Sequence, residues 1–212
     1  MSRASHSTTR LARYAAAAIA FAALAAMLPP LFNGLARGET LAGTVWSLLR
    51  FFTILTNLLV GLVFARLAWG GRDAVPPLIQ GGVMLAIVLV GLVYNFVLAP
   101  MPQPNLSSAL GDDMHHVWVP LAVPLWWLAF APHRRLGWSA PFLWALYPIA
   151  YSAYVLLRAA GEAGGTPLRY PYPFMDAEAL GWVGALTNMA AIAAAFVLVG
   201  LLAVLLDRKL PG

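Results

Sequence analysis

The chain has no cysteine, and only 10% of its 212 residues are charged. The first absence excludes a disulfide framework and a thiolate metal site. The second excludes a soluble domain of this size, in which about a quarter of the residues carry charge. No basic stripe or nucleic-acid motif is present, so the sequence nominates no nucleic-acid partner. What fills the chain instead is apolar side chain, 61% of all residues, arranged in long runs. The composition is that of a membrane protein.

Six runs are long enough to cross a bilayer. They cover about residues 11–30, 46–68, 76–99, 113–132, 139–158 and 180–206. The first resembles a signal peptide, but its apolar part exceeds the usual h-region of about 7 to 15 residues and ends in Pro29-Pro30, so it reads as a retained helix. Residues 31 to 45 read as a loop, with Trp46 marking entry to the second span. Pro76 and Pro77 suit the first turn of the third. The prediction is an all-α membrane protein, one six-helix transmembrane domain over residues 1 to 212.

The basic residues orient it. Of 13, nine fall at the two termini and in the second and fourth loops, against four on the other side, Arg37, Arg50, Arg158 and Arg169. By the positive-inside rule both termini are cytoplasmic. The net charge of +5 is thereby explained without a polyanionic partner. The expected setting is a bacterial cytoplasmic membrane.

Within this frame the polar residues gather in the outer half of the bilayer. Arg50, Thr53 and Asn57 are spaced three and four apart and share one helical face, which Gly61 continues. Counted from Trp46, Thr53 lies about 10 Å inside the outer boundary and Asn57 about 6 Å deeper. Thr187 and Asn188 reach a similar depth on the sixth span. Tyr94 and Asn95 approach the layer from the third, His115 and His116 from the fourth, and Tyr151, Ser152 and Tyr154 from the fifth. Hydrogen bonding between helices accounts for such residues one at a time, at about 0.6 to 2 kcal/mol each. Their clustering, with ionisable members, points to a site.

Three chemistries fit the layer. In nucleophilic catalysis a histidine acts as base toward a hydroxyl while an amide stabilises the oxyanion; Asn57, Asn95 and Asn188 are the amide candidates, with Thr187 and His116 in the pocket. Metal chemistry would use Asp112, Asp113, His115 and His116, since Asp112 and His116 are four apart on one face, but a third imidazole on that side is lacking. A transport path would need polar residues in the inner half, which has almost none. A bundle that binds lipid or a protein partner without catalysis uses the same residues for packing.

Three segments also carry a family resemblance. Arg50-Phe51-Phe52-Thr53-Ile54-Leu55, Met114-His115 with Pro120 beyond it, and Tyr172-Pro173-Phe174-Met175-Asp176 together resemble the androgen-induced and androgen-dependent (tissue-factor-pathway-inhibitor-regulating) membrane proteins. These are six-helix hydrolases that cleave fatty acid esters of hydroxy fatty acids. The resemblance implies Thr53 as nucleophile and His115 as base, no cofactor, and a membrane lipid ester as substrate. Arg50 and Tyr172 fall in its anchors, at the substrate head or the interface. The chain departs from the vertebrate pattern in carrying Thr56 where those members have an acid, and in a shorter loop between the two catalytic anchors.

Overall fold

The computed structural model describes residues 3 to 99 and 109 to 211. The expected loop between the third and fourth spans, residues 100 to 108, lies outside the described residues. All regular structure among the described residues is helical: α1 Arg3–Ala25, α2 Leu28–Ala36, α3 Leu41–Leu48, α4 Phe52–Gly70, α5 Pro77–Val93, α6 Ala109–Asp113, α7 Val119–Phe130, α8 Ala140–Ala160 and α9 Ala177–Lys209. Two π-helical turns, Tyr94–Leu98 and Met114–Trp118, continue α5 and join α6 to α7.

Five helical stretches are long and apolar enough to cross a membrane: Thr9–Ala36, Phe52–Gly70, Pro77–Leu98, Ala140–Ala160 and Ala177–Lys209. Large apolar side chains such as Phe21, Leu62, Leu125, Leu157 and Leu202 face outward along these and the neighbouring helices, as they do where the solvent is lipid. The expected fourth span is built differently. It runs through α6, a π turn and the 12-residue α7, which contains Pro120 and Pro124.

The start of the chain also differs from expectation. Pro29 and Pro30 do not end the first helix; they occupy the opening turn of α2, where a missing N–H costs nothing because that donor has no intrahelical partner. The stretch read as a loop is thus largely helical, with α2 and α3 packed closely enough that a Cβ on Gly34 would lie 2.3 Å from Thr44 Cγ2. Trp46 belongs to α3 rather than to the start of the second span. Phe51 is extended (φ −90°, ψ 127°) and α4 begins only at Phe52. Arg50 therefore sits in the junction before α4, buried to 8% exposure, while Thr53, Asn57 and Gly61 keep their common helical face.

The chain divides into two compact units, Met1–Leu136 with Asp207–Gly212, and Gly137–Leu206. In the first, α1 packs antiparallel on α4 through alanines: Ala12, Ala16, Ala20 and Ala23 are buried, and small side chains let helix backbones approach. Leu24 fills the space over Gly61, where a Cβ would lie 2.5 Å from its Cδ2. Arg13 donates from Nε to Ala68 O at 2.8 Å and from Nη2 to Trp69 O at 2.9 Å, satisfying carbonyls that the last turn of α4 leaves open. From α7, Trp126 donates Nε1–H to Ala12 O at 2.8 Å and meets the Phe64 ring edge-on at 5.1 Å. On its other side α7 packs against α5.

In the second unit, Pro148 lies inside α8, and Ser152 Oγ donates to Pro148 O at 2.9 Å. The segment before α9 folds onto its own unit. Asp176 Oδ1 accepts from Glu178 N and Ala179 N at 2.9 and 3.1 Å, capping the first turn. Arg169 binds Glu178 and donates from Nε to Ala159 O at 2.7 Å. Gly181 has φ +70°, a left-handed conformation open to glycine, and breaks α9 before its long apolar run.

Candidate functional site

Four elements of the first unit converge on one imidazole. Thr53 stands in the first turn of α4, and its Oγ1 lies 3.4 Å from His116 Nε2. The other ring nitrogen, Nδ1, lies 3.0 Å from Asp112 O and 3.1 Å from Asp112 Oδ1. A backbone carbonyl can only accept, so Nδ1 carries the proton. In the neutral ring Nε2 is then the bare nitrogen, and the Thr53 hydroxyl donates to it.

Two side chains of the π turn after α5 complete the setting. The Tyr94 ring stacks on His116 at 3.7 Å between centroids and 7° between planes, and the Tyr94 hydroxyl donates to Asp112 Oδ2. Asn95 Nδ2 donates to Gly91 O at 2.8 Å and to His116 O at 3.0 Å. The second bond has a cause in the sequence. Pro120 stands four residues after His116 and has no N–H to give the His116 carbonyl an α-helical bond; Asn95 supplies a donor from the neighbouring helix. Gly91 permits the approach, since a Cβ there would lie 2.7 Å from Pro120 Cβ and 3.5 Å from His116 O.

Both His116 and the pair Tyr94 and Asn95 thus lie on π-helical turns. An extra residue per turn re-aims side chains relative to an uninterrupted α-helix, and such turns occur frequently at functional sites.

The individual candidates fare differently. Thr53 and His116 meet. His115 is 3% exposed, and its Nε2 has no hydrogen-bond partner among the described residues. Of the two neighbouring histidines it is His116 whose ring meets the Thr53 hydroxyl. The depth of about 10 Å read for Thr53 from the sequence rested on a helix starting at Trp46. With α4 starting at Phe52, Thr53 is near a helix end, level with the start of the fourth helical stretch.

Asn57 is fully buried and donates Nδ2–H to Thr53 O at 2.9 Å, while its Oδ1 has no partner among the described residues. Asn95 spends both amide protons on carbonyls and has none left for an oxyanion. Asn188 donates to Phe174 O at 3.3 Å within the second unit, and Thr187 there is exposed. Tyr172 stacks on Phe174 at 5.3 Å in that unit. Thr56, at the position of the family acid, is fully buried.

Two members of the cluster stood outside the sequence-based site. Asp112 carries a legible signal, since it lies four residues before His116 on one face; that spacing was read as a possible metal pair. Among the described residues no three His, Asp or Glu side chains gather to hold a metal. Tyr94 carries none beyond its place in the polar layer, because stacking depends on the helix across from it.

Comparisons with family models, with curated proteins and with solved structures find no match for this chain.

Proposed function

We propose that the protein is a membrane-embedded hydrolase of lipid esters, fatty acid esters of hydroxy fatty acids or similar molecules, with Thr53 as nucleophile. The observation that carries this reading is the Thr53 Oγ1 to His116 Nε2 approach of 3.4 Å with Nδ1 held by Asp112. His116 is the base, in place of the His115 that the family resemblance implies, because it is the imidazole whose free nitrogen faces the hydroxyl. As Thr53 Oγ1 attacks the ester carbonyl, its proton passes to His116 Nε2. The alkoxide leaves with that proton, and water, activated by the same nitrogen, cleaves the acyl-Thr53 ester.

Negative charge on the carbonyl oxygen develops at the N-terminus of the 19-residue α4, the positive end of its dipole. Asn57, one turn along the same face, has a second amide proton to offer. The half-exposed Asp112 and partly exposed His116 leave the site open to an amphipathic substrate whose chains lie among apolar helices. In this reading α6 to α7 makes a sixth crossing, both termini are cytoplasmic, and the site faces the outer side of a bacterial cytoplasmic membrane.

The test is covalent. Detergent-solubilised protein is incubated with a fluorophosphonate and with hydroxy-fatty-acid esters, and the adduct is mapped by peptide mass. An adduct on Thr53 that Thr53→Ala and His116→Ala abolish is the expected result; full ester turnover by either variant overturns it. A second reading, a lipid- or partner-binding bundle without catalysis, is favoured by one observation: Asn57 and Asn95 both spend amide protons on backbone carbonyls, as packing residues do. It predicts loss of stability in these variants and no adduct.

A further inference from the structure

We propose that Tyr94 and Asn95 form the positioning element of the site, setting the plane and tautomer of His116 from the neighbouring helix; the proposal rests on the hydrolase reading only for its kinetic consequence. An imidazole has two freedoms that decide whether it can serve as a base, its rotation about the Cβ–Cγ bond and the nitrogen that holds its proton. The Tyr94 ring restrains the first by lying nearly parallel to the imidazole over its face. Its hydroxyl acts on the second at one remove. It occupies Asp112 Oδ2, which leaves Oδ1 turned to His116 Nδ1 at 3.1 Å and keeps the proton on that nitrogen, away from Thr53.

Asn95 acts on the backbone. Its bond to His116 O replaces the donor that Pro120 lacks, and its bond to Gly91 O holds the π turn on which it stands. Without it the carbonyl next to the base would lose the donor that the neighbouring helix gives it. Tyr94 and Asn95 are adjacent, and an α-helical register would turn them about 100° apart. On the π turn both reach the same histidine.

The test reads the ring directly in the full chain. The imidazole nitrogens are labelled with 15N, and the His116 signals are assigned among the chain's four histidines by comparison with His116→Gln. Wild type is expected to show the Nδ1–H tautomer. In Tyr94→Phe, which keeps the stack, the Nε2–H form should rise to a measurable fraction. Ester turnover should fall about tenfold, the weight of one hydrogen bond to a charged group. Tyr94→Leu, which removes the stack as well, should broaden the ring signals and lower turnover further. Asn95→Asp should lower kcat at unchanged KM.

If Tyr94→Phe leaves both the tautomer and turnover at wild-type values while its melting temperature is unchanged, the proposal is overturned. If the tautomer shifts in a protein that cleaves no ester, the positioning role stands and the hydrolase reading falls.

Discussion

Two histidine–aspartate pairs in the first unit can be set side by side. His116 lies 3.1 Å from Asp112 Oδ1, with side-chain exposures of 13% and 41%. His133 lies 3.3 Å from Asp207 Oδ1, with exposures of 4% and 1%. In the second pair every polar atom is occupied by structure: His133 Nε2 faces Leu128 O at 3.2 Å, and Asp207 Oδ2 accepts from Arg135 N and Leu136 N, both at 3.0 Å. The Trp127 ring closes it edge-on at 4.8 Å. In the first pair one nitrogen is left over, and it faces a hydroxyl. The surroundings therefore depend on what the second nitrogen meets, and the same two residue types make a structural lock in one place and leave a ring nitrogen facing a hydroxyl in the other.

The largest effect that would break this contrast is expected at the open pair. His116→Ala should lower ester turnover about a thousandfold, within the usual range for a positioned base, while His115→Ala should change it less than threefold or so once corrected for folded protein. Equal losses in the two variants, measured as initial rates on purified protein, would erase the distinction between the neighbouring histidines. At the closed pair the loss should appear in stability. Asp207→Ala leaves two backbone N–H groups and the buried His133 Nδ1 without their acceptor, and breaking such a pair costs about 3 to 5 kcal/mol. A lowered unfolding midpoint with unchanged turnover per folded molecule is the expected pattern.

A smaller effect should follow from the contact that brings Asn95 to His116. Gly91→Ala places a methyl against the Pro120 ring, a rigid neighbour, and overpacking of this kind costs about 1 to 3 kcal/mol. Turnover should fall with stability, because α5 must move away from α7 and carry Tyr94 and Asn95 with it. The smallest effect belongs to an exposed pair. Arg37 donates to Glu39 at 2.9 Å, and this bond, then that from Thr44, holds the Glu39 carboxyl below its ordinary value of 4.5. The sign is that of a depressed carboxylate: its contribution is present at neutral pH and fades as pH falls through the folded value. Carbon-13 titration should show the Glu39 carboxyl rising toward the ordinary value in Arg37→Gln, with little change in unfolding midpoint.

Much of the helical layout was legible, because long apolar runs have few other solutions. What misled was local. Pro29-Pro30 reads as a stop in sequence, yet in the first turn of α2 it is a start. Trp46 reads as an interfacial entry to the second span, yet it ends in α3, and Thr53 moves from the middle of a helix to its beginning. Of the cluster around His116, the sequence named Thr53, Tyr94 and Asn95 as residue types in the polar set. The choice between His115 and His116 was not legible, since spacing along one helix does not tell which neighbour the packing brings to Thr53.

Composition alone pointed to a chain built for lipid, because 10% charge over 212 residues is little to clothe a soluble surface, and the described residues carry five helices long and apolar enough to cross a membrane. Spacing determined that Thr53, Asn57 and Gly61 share a face and that Asp112 lies under His116. Only the tertiary structure decided that Tyr94 covers the ring, that Asn95 donates to the His116 carbonyl, and that His116 faces a hydroxyl while His133 is enclosed between Leu128 O and Asp207. Those outcomes depend on which helix lies across from which, and on the close approach at Gly91. Sequence periodicity within one helix carries no information about the partner it will meet.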